Sequence, residues 1–300
     1  MPVKLPFFIS PRRDGRRPPP FFWLGGVYLG WSGLTWLAQF HGTAQAPTGL
    51  GGTLASLAHV LLAGWLTGGY VAGHRMEGEQ QGRLPTGTLL AMLGVGVALA
   101  LLPEGAEPWR SALGSANLLA FALVLGTWLA GTLRRAAEIV PVCVVMALAD
   151  IYSVLRGPTR YFAEGIAEYY RAGRRGPAPL VDYLLVKVAV PGLAAPLPVF
   201  GVADWIAVAF LACAAARFDL DQVEAGPWRP GLLAGAGGLL LAVLLAQGLG
   251  VFLPALPVIT LAFLGVALAR DPGVRRLVRS DWICLGVAGV VLGVLLAVGL

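Results

Sequence analysis

Two acidic residues stand where acids are expensive. Asp150 lies in Val144-Val145-Met146-Ala147-Leu148-Ala149-Asp150-Ile151-Tyr152, and Asp204 lies in Val199-Phe200-Gly201-Val202-Ala203-Asp204-Trp205-Ile206-Ala207-Val208. The other Asp and Glu residues of the chain fall mostly between apolar runs or at their ends, as expected when a charge at mid-bilayer costs several kcal/mol. Two carboxyls sharing one water-poor site repel each other and hold a single proton between them. Such a pair can split the labour of hydrolysis: the ionised carboxylate takes a proton from water while the protonated one polarises a carbonyl. The same pair could instead bind a proton or a cation for transport.

The elements that must position these acids are spanning helices. Of 300 residues, 57% are hydrophobic and 13% charged, with a mean hydropathy of +0.74. That balance excludes a water-soluble fold, a disordered chain and a nucleic-acid-binding surface. Apolar runs of about 20 residues occur nine times, at 21–40, 53–73, 84–102, 111–133, 137–155, 196–216, 231–247, 253–269 and 282–300. The expected fold is all-α, a polytopic transmembrane bundle of about nine spans, because an open sheet cannot satisfy its backbone in lipid. Recurrent Gly and Ala allow close helix approach and favour one packed membrane domain. Within it, residues 1–136 carry four scaffold spans, 137–269 the acid-bearing region and 270–300 a last span.

The depths of the two acids match. At 1.5 Å per residue Asp150 sits about 9 Å from Arg156, and Asp204 about 12 Å into a helix starting near Pro196. The connection between them, 156–195, begins basic and ends apolar and Pro-broken, so it is expected to be amphipathic or partly extended at the interface. Gly248-Leu249-Gly250-Val251-Phe252-Leu253-Pro254-Ala255-Leu256-Pro257 opens the eighth span with residues that disrupt helical hydrogen bonding. By parity of the spans this break lies at the same membrane face as the 156–195 loop. A broken backbone beside a carboxyl pair could receive an extended peptide.

Read together, Ala149-Asp150, Gly201-Val202-Ala203-Asp204 and Pro254-Ala255-Leu256 resemble, in that order, the motifs of the presenilin and signal-peptide-peptidase family of intramembrane aspartyl proteases. The family carries an Asp, usually in Tyr-Asp, then Gly-x-Gly-Asp, then Pro-Ala-Leu. The run Ile151 to Pro158 and Ala216-Arg217-Phe218-Asp219 add to the likeness, which covers roughly residues 137–269. The resemblance implies an aspartic endopeptidase with a presenilin-like fold, in which Asp150 and Asp204 activate water. It also implies that Gly201, Val202, Ala203, Pro254, Ala255 and Leu256 shape the substrate cleft. Substrates would be transmembrane helices or signal peptides, with no cofactor and no metal. Ala149 and Ala203 depart from the family's Tyr and second Gly, and a methyl at 203 could hinder close backbone approach.

Charge bears on orientation. Lys and Arg number 22, of which only Lys4 and Lys187 are lysine, against 16 acids, for a net charge of +6. With the N-terminus inside, fifteen fall on the inner side and six on the outer, favouring a cytoplasmic N-terminus. Ala44-Gln45-Ala46 faintly resembles a signal-peptidase site, but the preceding apolar run is long, so an uncleaved anchor is expected. Short loops and no organelle address point to a prokaryotic plasma membrane.

Other polar residues have plainer readings. His59, alone in its span, reads as a packed, hydrogen-bonded side chain. Gln247 is placed to bond backbone freed by the Gly-Leu-Gly break. Glu138, Asp182 and Lys187 read as interfacial, solvated or snorkelling side chains. Cys143, Cys213 and Cys284, each isolated in an apolar run, read as small apolar residues. The competing reading of the acids, a proton- or cation-coupled transporter, and a third, a non-catalytic membrane scaffold, stay open on sequence alone.

Overall fold

A computed structural model describes residues 20–40, 49–74, 85–103, 106–174, 176, 178–193, 196–220, 229–249 and 253–298. The Ala44-Gln45-Ala46 site, the basic residues of the first nineteen positions and Gly250-Val251-Phe252 lie outside them. The described chain is a helical bundle. Its helices are α1 (Pro20–Phe40), α2 (Gly49–His74), α3 (Thr86–Ala100), α4 (Trp109–Thr132), α5 (Ile139–Leu155), α6 (Pro158–Arg171), α7 (Val202–Arg217), α8 (Pro230–Leu249), α9 (Ala255–Arg270) and α10 (Arg279–Val298). Each apolar run read from the sequence carries one of these helices, and α6 is the amphipathic addition. Five helical segments, at Gly51–Gly73, Trp109–Thr132, Ala136–Leu155, Pro230–Leu249 and Arg279–Val298, are long and apolar enough to cross a membrane; α3 and α9 are shorter apolar helices.

The bundle is not purely helical. Strands β1 (Leu185–Val188) and β2 (Leu197–Gly201) form an antiparallel hairpin with Val186 opposite Phe200 and Lys187 opposite Pro198. The register slips between Val186 and Lys187, where the partner strand presents Pro198, a residue with no N–H to give the ladder. Extended backbone is tolerable here because protein surrounds it. Val186 and Val188 are fully buried, the Lys187 amide donates to Ser115 Oγ on α4 at 2.8 Å, and Trp31 Nε1 of α1 donates to the Lys187 carbonyl at 3.1 Å.

This hairpin corrects the span expected at 196–216. Helix α7 begins only at Val202, because Pro198 cannot donate to a helix and each proline holds the residue before it extended. Asp204 therefore sits in the first turn of α7 and not about 12 Å along a helix from Pro196.

Small residues set the packing. The α4–α7 contact is the most extensive in the bundle, and at its centre a Cβ on Gly126 would come within 2.8 Å of the Ala209 Cβ and the Ile206 carbonyl. On the α8–α9 contact a Cβ on Gly238 would meet the Ile259 Cα at 2.8 Å. Such close backbone approach is how helices gain dispersion contact where lipid gives no hydrophobic drive. Trp31, Leu123, Ile139, Trp205, Leu211 and Phe263 fill the core around these seams.

Candidate functional site

Helix α9 links the two acid-bearing helices. It packs against α5, which carries Asp150, and against α7, which carries Asp204. Pro254, the residue before α9, has no side chain able to cap it, so the first-turn amides of the helix need an outside acceptor. Asp150 is that acceptor: the Leu256 N–H donates to its Oδ2 at 2.9 Å, and the Ala255 amide is also directed at the carboxylate.

Asp204 is held by its own helix. As the third residue of α7 it accepts the Gly201 N–H on Oδ2 at 2.9 Å, the acidic half of a capping box. Both carboxylates thus meet the positive end of a helix, which favours their ionised forms. The helices that carry them, α5 and α7, both pack against α9. Both residues are half-buried.

The remaining motif residues surround this point. Gly201 ends β2 and precedes α7; Val202 is half-buried against the core, and Ala203 is exposed. A Cβ at position 201 would lie 3.5 Å from Asp204 Oδ2, an ordinary contact, so the fold itself does not demand glycine there. Ala255 and Leu256 pack partly buried against the core, with their amides turned to Asp150. Gln247, expected near the break, is exposed on α8.

Asp182 and Lys187 differ from their plain readings, whereas His59 is packed and hydrogen-bonded as read. Asp182 is 3% exposed and lies in no solvated layer: it accepts from Lys187 Nζ at 2.6 Å and from the Tyr170 hydroxyl at 3.0 Å. The 156–195 segment folds back onto α4 and carries this pair inward, a placement that sequence spacing does not reveal. Burial, followed by the Asp182 charge, raises the Tyr170 hydroxyl well above its ordinary value of 10.0 and keeps it a donor. Glu138 is half-buried and accepts from the Arg134 amide and from Arg135 Nε. His59 is packed edge-on against Trp31, with Nδ1 2.8 Å from the Ala55 carbonyl. Among the described residues no three His, Cys, Asp or Glu gather into a metal-binding group.

Comparison of the chain with models of known protein families, with curated proteins and with solved structures finds no match.

Proposed function

We propose that this protein is an intramembrane aspartyl protease that hydrolyses peptide bonds in transmembrane helices or signal peptides, with Asp150 and Asp204 as its water-activating pair. The reading is supported by one observation: Asp150 accepts the Leu256 amide at the first turn of the helix that follows Pro254, and that same helix packs against the one carrying Asp204. In this reading one carboxylate is ionised and removes a proton from a water held between them. The other, protonated, donates to the scissile carbonyl as the water oxygen adds to its carbon. The tetrahedral product collapses with proton transfer to the leaving amine. No covalent intermediate on the protein is needed.

A helical substrate must be unwound before its amide can reach the pair. Strand β2 ends at Gly201, just before the first turn of α7 that carries Asp204, and among the described residues it pairs only with β1, which leaves one of its edges without a partner strand. An extended peptide gains main-chain hydrogen bonds on such an edge. The reading also holds the nine apolar helices as nine crossings, with the acids and the α6–β2 segment at one face of a prokaryotic plasma membrane.

The test is cleavage of a fluorescent transmembrane-peptide substrate by purified protein in detergent, with D150N and D204N as controls. Loss of cleavage in both variants with the fold intact supports the protease. Cleavage that persists in D204N refutes the pair mechanism, and proton-coupled solute flux in liposomes would put transport in its place.

A further inference from the structure

Away from the acid pair, a half-enclosed cavity of about 60 Å³ lies between α3, the start of α4 and strand β1. Its polar wall is made by Arg110, Ser111, Ser115, Asn117, Asp182 and Lys187. Arg110 and Lys187 are largely covered, with side chains 19% and 11% exposed. Burying a Lys–Asp pair is costly, and apolar residues would anchor a hairpin as well.

The hydrogen-bond accounting of this wall is one-sided. Both oxygens of Asp182 are taken, by Tyr170 and Lys187. Asn117 is spent on both ends, donating to the Met92 carbonyl at 2.9 Å and accepting from the Tyr28 hydroxyl at 2.8 Å. Oε1 of Glu107 takes Arg110 Nε at 3.0 Å and the Ser111 hydroxyl at 2.9 Å. Glu107 Oε2 is buried without a partner among the described residues, but Glu107 does not line the cavity. Among the polar side chains that do, the groups left over are donors: Arg110 Nη2, two of the three N–H groups of Lys187, and the hydroxyl hydrogen of Ser115, whose oxygen accepts the Lys187 amide. A ligand that completes this wall brings several acceptor oxygens on one centre. Arg110 and Lys187 are balanced by Glu107 and Asp182, so the site is near neutral and suits a singly charged phosphodiester better than a dianion.

The surroundings indicate where such a group comes from. The cavity sits where α3 ends and α4 begins, and α3 contributes Gly96, Leu99 and Ala100 to it. Leu93, Val97 and Leu101, four residues apart along α3 and its end, are 54%, 61% and 80% exposed. They form an apolar stripe that descends from the cavity rim, matched to acyl chains below a headgroup. We infer that the cavity between α3, α4 and β1 binds the phosphodiester of a phospholipid headgroup through Arg110, Lys187 and Ser115. The inference is independent of the acid pair.

Native mass spectrometry of the full-length protein in detergent tests it, with phosphatidylethanolamine and diacylglycerol as matched probes. Wild type is expected to bind phosphatidylethanolamine at least about tenfold more tightly than diacylglycerol, and R110Q to lose about tenfold of that preference. S115A is expected to lose a smaller share. The double change Lys187→Gln with Asp182→Asn avoids a stranded buried charge and should also lose the preference. Competition by water-soluble glycerophosphoethanolamine at equal concentration would identify a soluble phosphodiester as the ligand, and its failure to compete would identify lipid; both keep the phosphate chemistry. Equal binding of diacylglycerol, or unchanged phospholipid binding in R110Q and the double variant, overturns the inference.

Discussion

The backbone N–H of Leu256 donates to Oδ2 of Asp150 at 2.9 Å, so the helix bearing Pro254-Ala255-Leu256 starts on a side chain supplied by α5. One carboxylate therefore serves two ends: it closes the first turn of α9 and, in the proposed mechanism, works with Asp204. Substitutions can separate these roles. D150N keeps an oxygen for the Leu256 amide but cannot act as a base, so cleavage should fall by at least about 100-fold with the melting temperature near wild type. D150A should lose cleavage as well and also destabilise the protein by about 1 kcal/mol through the unpaired amide. Peptide cleavage and thermal melting, measured on both variants, check the split.

Asp204 allows the same separation on its own helix. D204N can still accept from the Gly201 amide, so α7 should start where it does now. Cleavage should be lost to the same degree as in D150N, and the double variant should be no worse than either single one, because the two acids act as a unit. Kinetics of the three variants on one substrate provide the measurement.

Adjacent glycines on α8 make a matched pair. A side chain at Gly238 meets the Ile259 backbone, whereas Gly237 has nothing within 4 Å. G238V should cost about 1–3 kcal/mol by overpacking, while G237A should stabilise the helix by about 0.5–1 kcal/mol. Gly126 on α4, against Ala209 and Ile206, should behave as Gly238 does. Thermal melting in one detergent ranks all three.

Tyr170 carries a pH signature. Its hydroxyl is raised by burial and by Asp182, so the folded protein keeps this proton after the unfolded chain has lost it. Its contribution to stability is fully present below the unfolded value near 10 and declines as pH rises above that value. The melting temperature of wild type should fall more steeply above pH 10 than that of Y170F. Parallel slopes would contradict the burial of the Tyr170 hydroxyl beside Asp182.

Much of the helix order was legible because apolar runs of spanning length leave few alternatives, and each of the nine carries a helix. The acids were legible for the same reason, since nothing in an apolar run conceals a carboxylate. The hairpin was not: Leu197-Pro198-Val199-Phe200-Gly201 is apolar enough to pass for the start of a span, and only Pro196 and Pro198 signalled extended backbone. Nor could spacing reveal that α9 lies between the acid-bearing helices, because the Leu256–Asp150 bond joins residues 106 apart. The Asp182–Lys187 pair is not legible in the sequence, because separate charges in a loop read as solvated until the chain folds that loop inward.

Helix α10 packs on α5 and is fastened at both ends to residues flanking it: Arg135 Nη2 meets Asp281 Oδ1 at 3.1 Å, and Arg156 Nη1 donates to the Leu296 carbonyl at 3.1 Å. Most of its surface faces outward. The two helices are coupled like the rails of a ladder, while α7 belongs with α4 and α8. Any displacement that parts Asp150 from Asp204 by moving α5 must therefore swing the last helix with it, and a spectroscopic label on the outer face of α10 would register that swing without touching either acid.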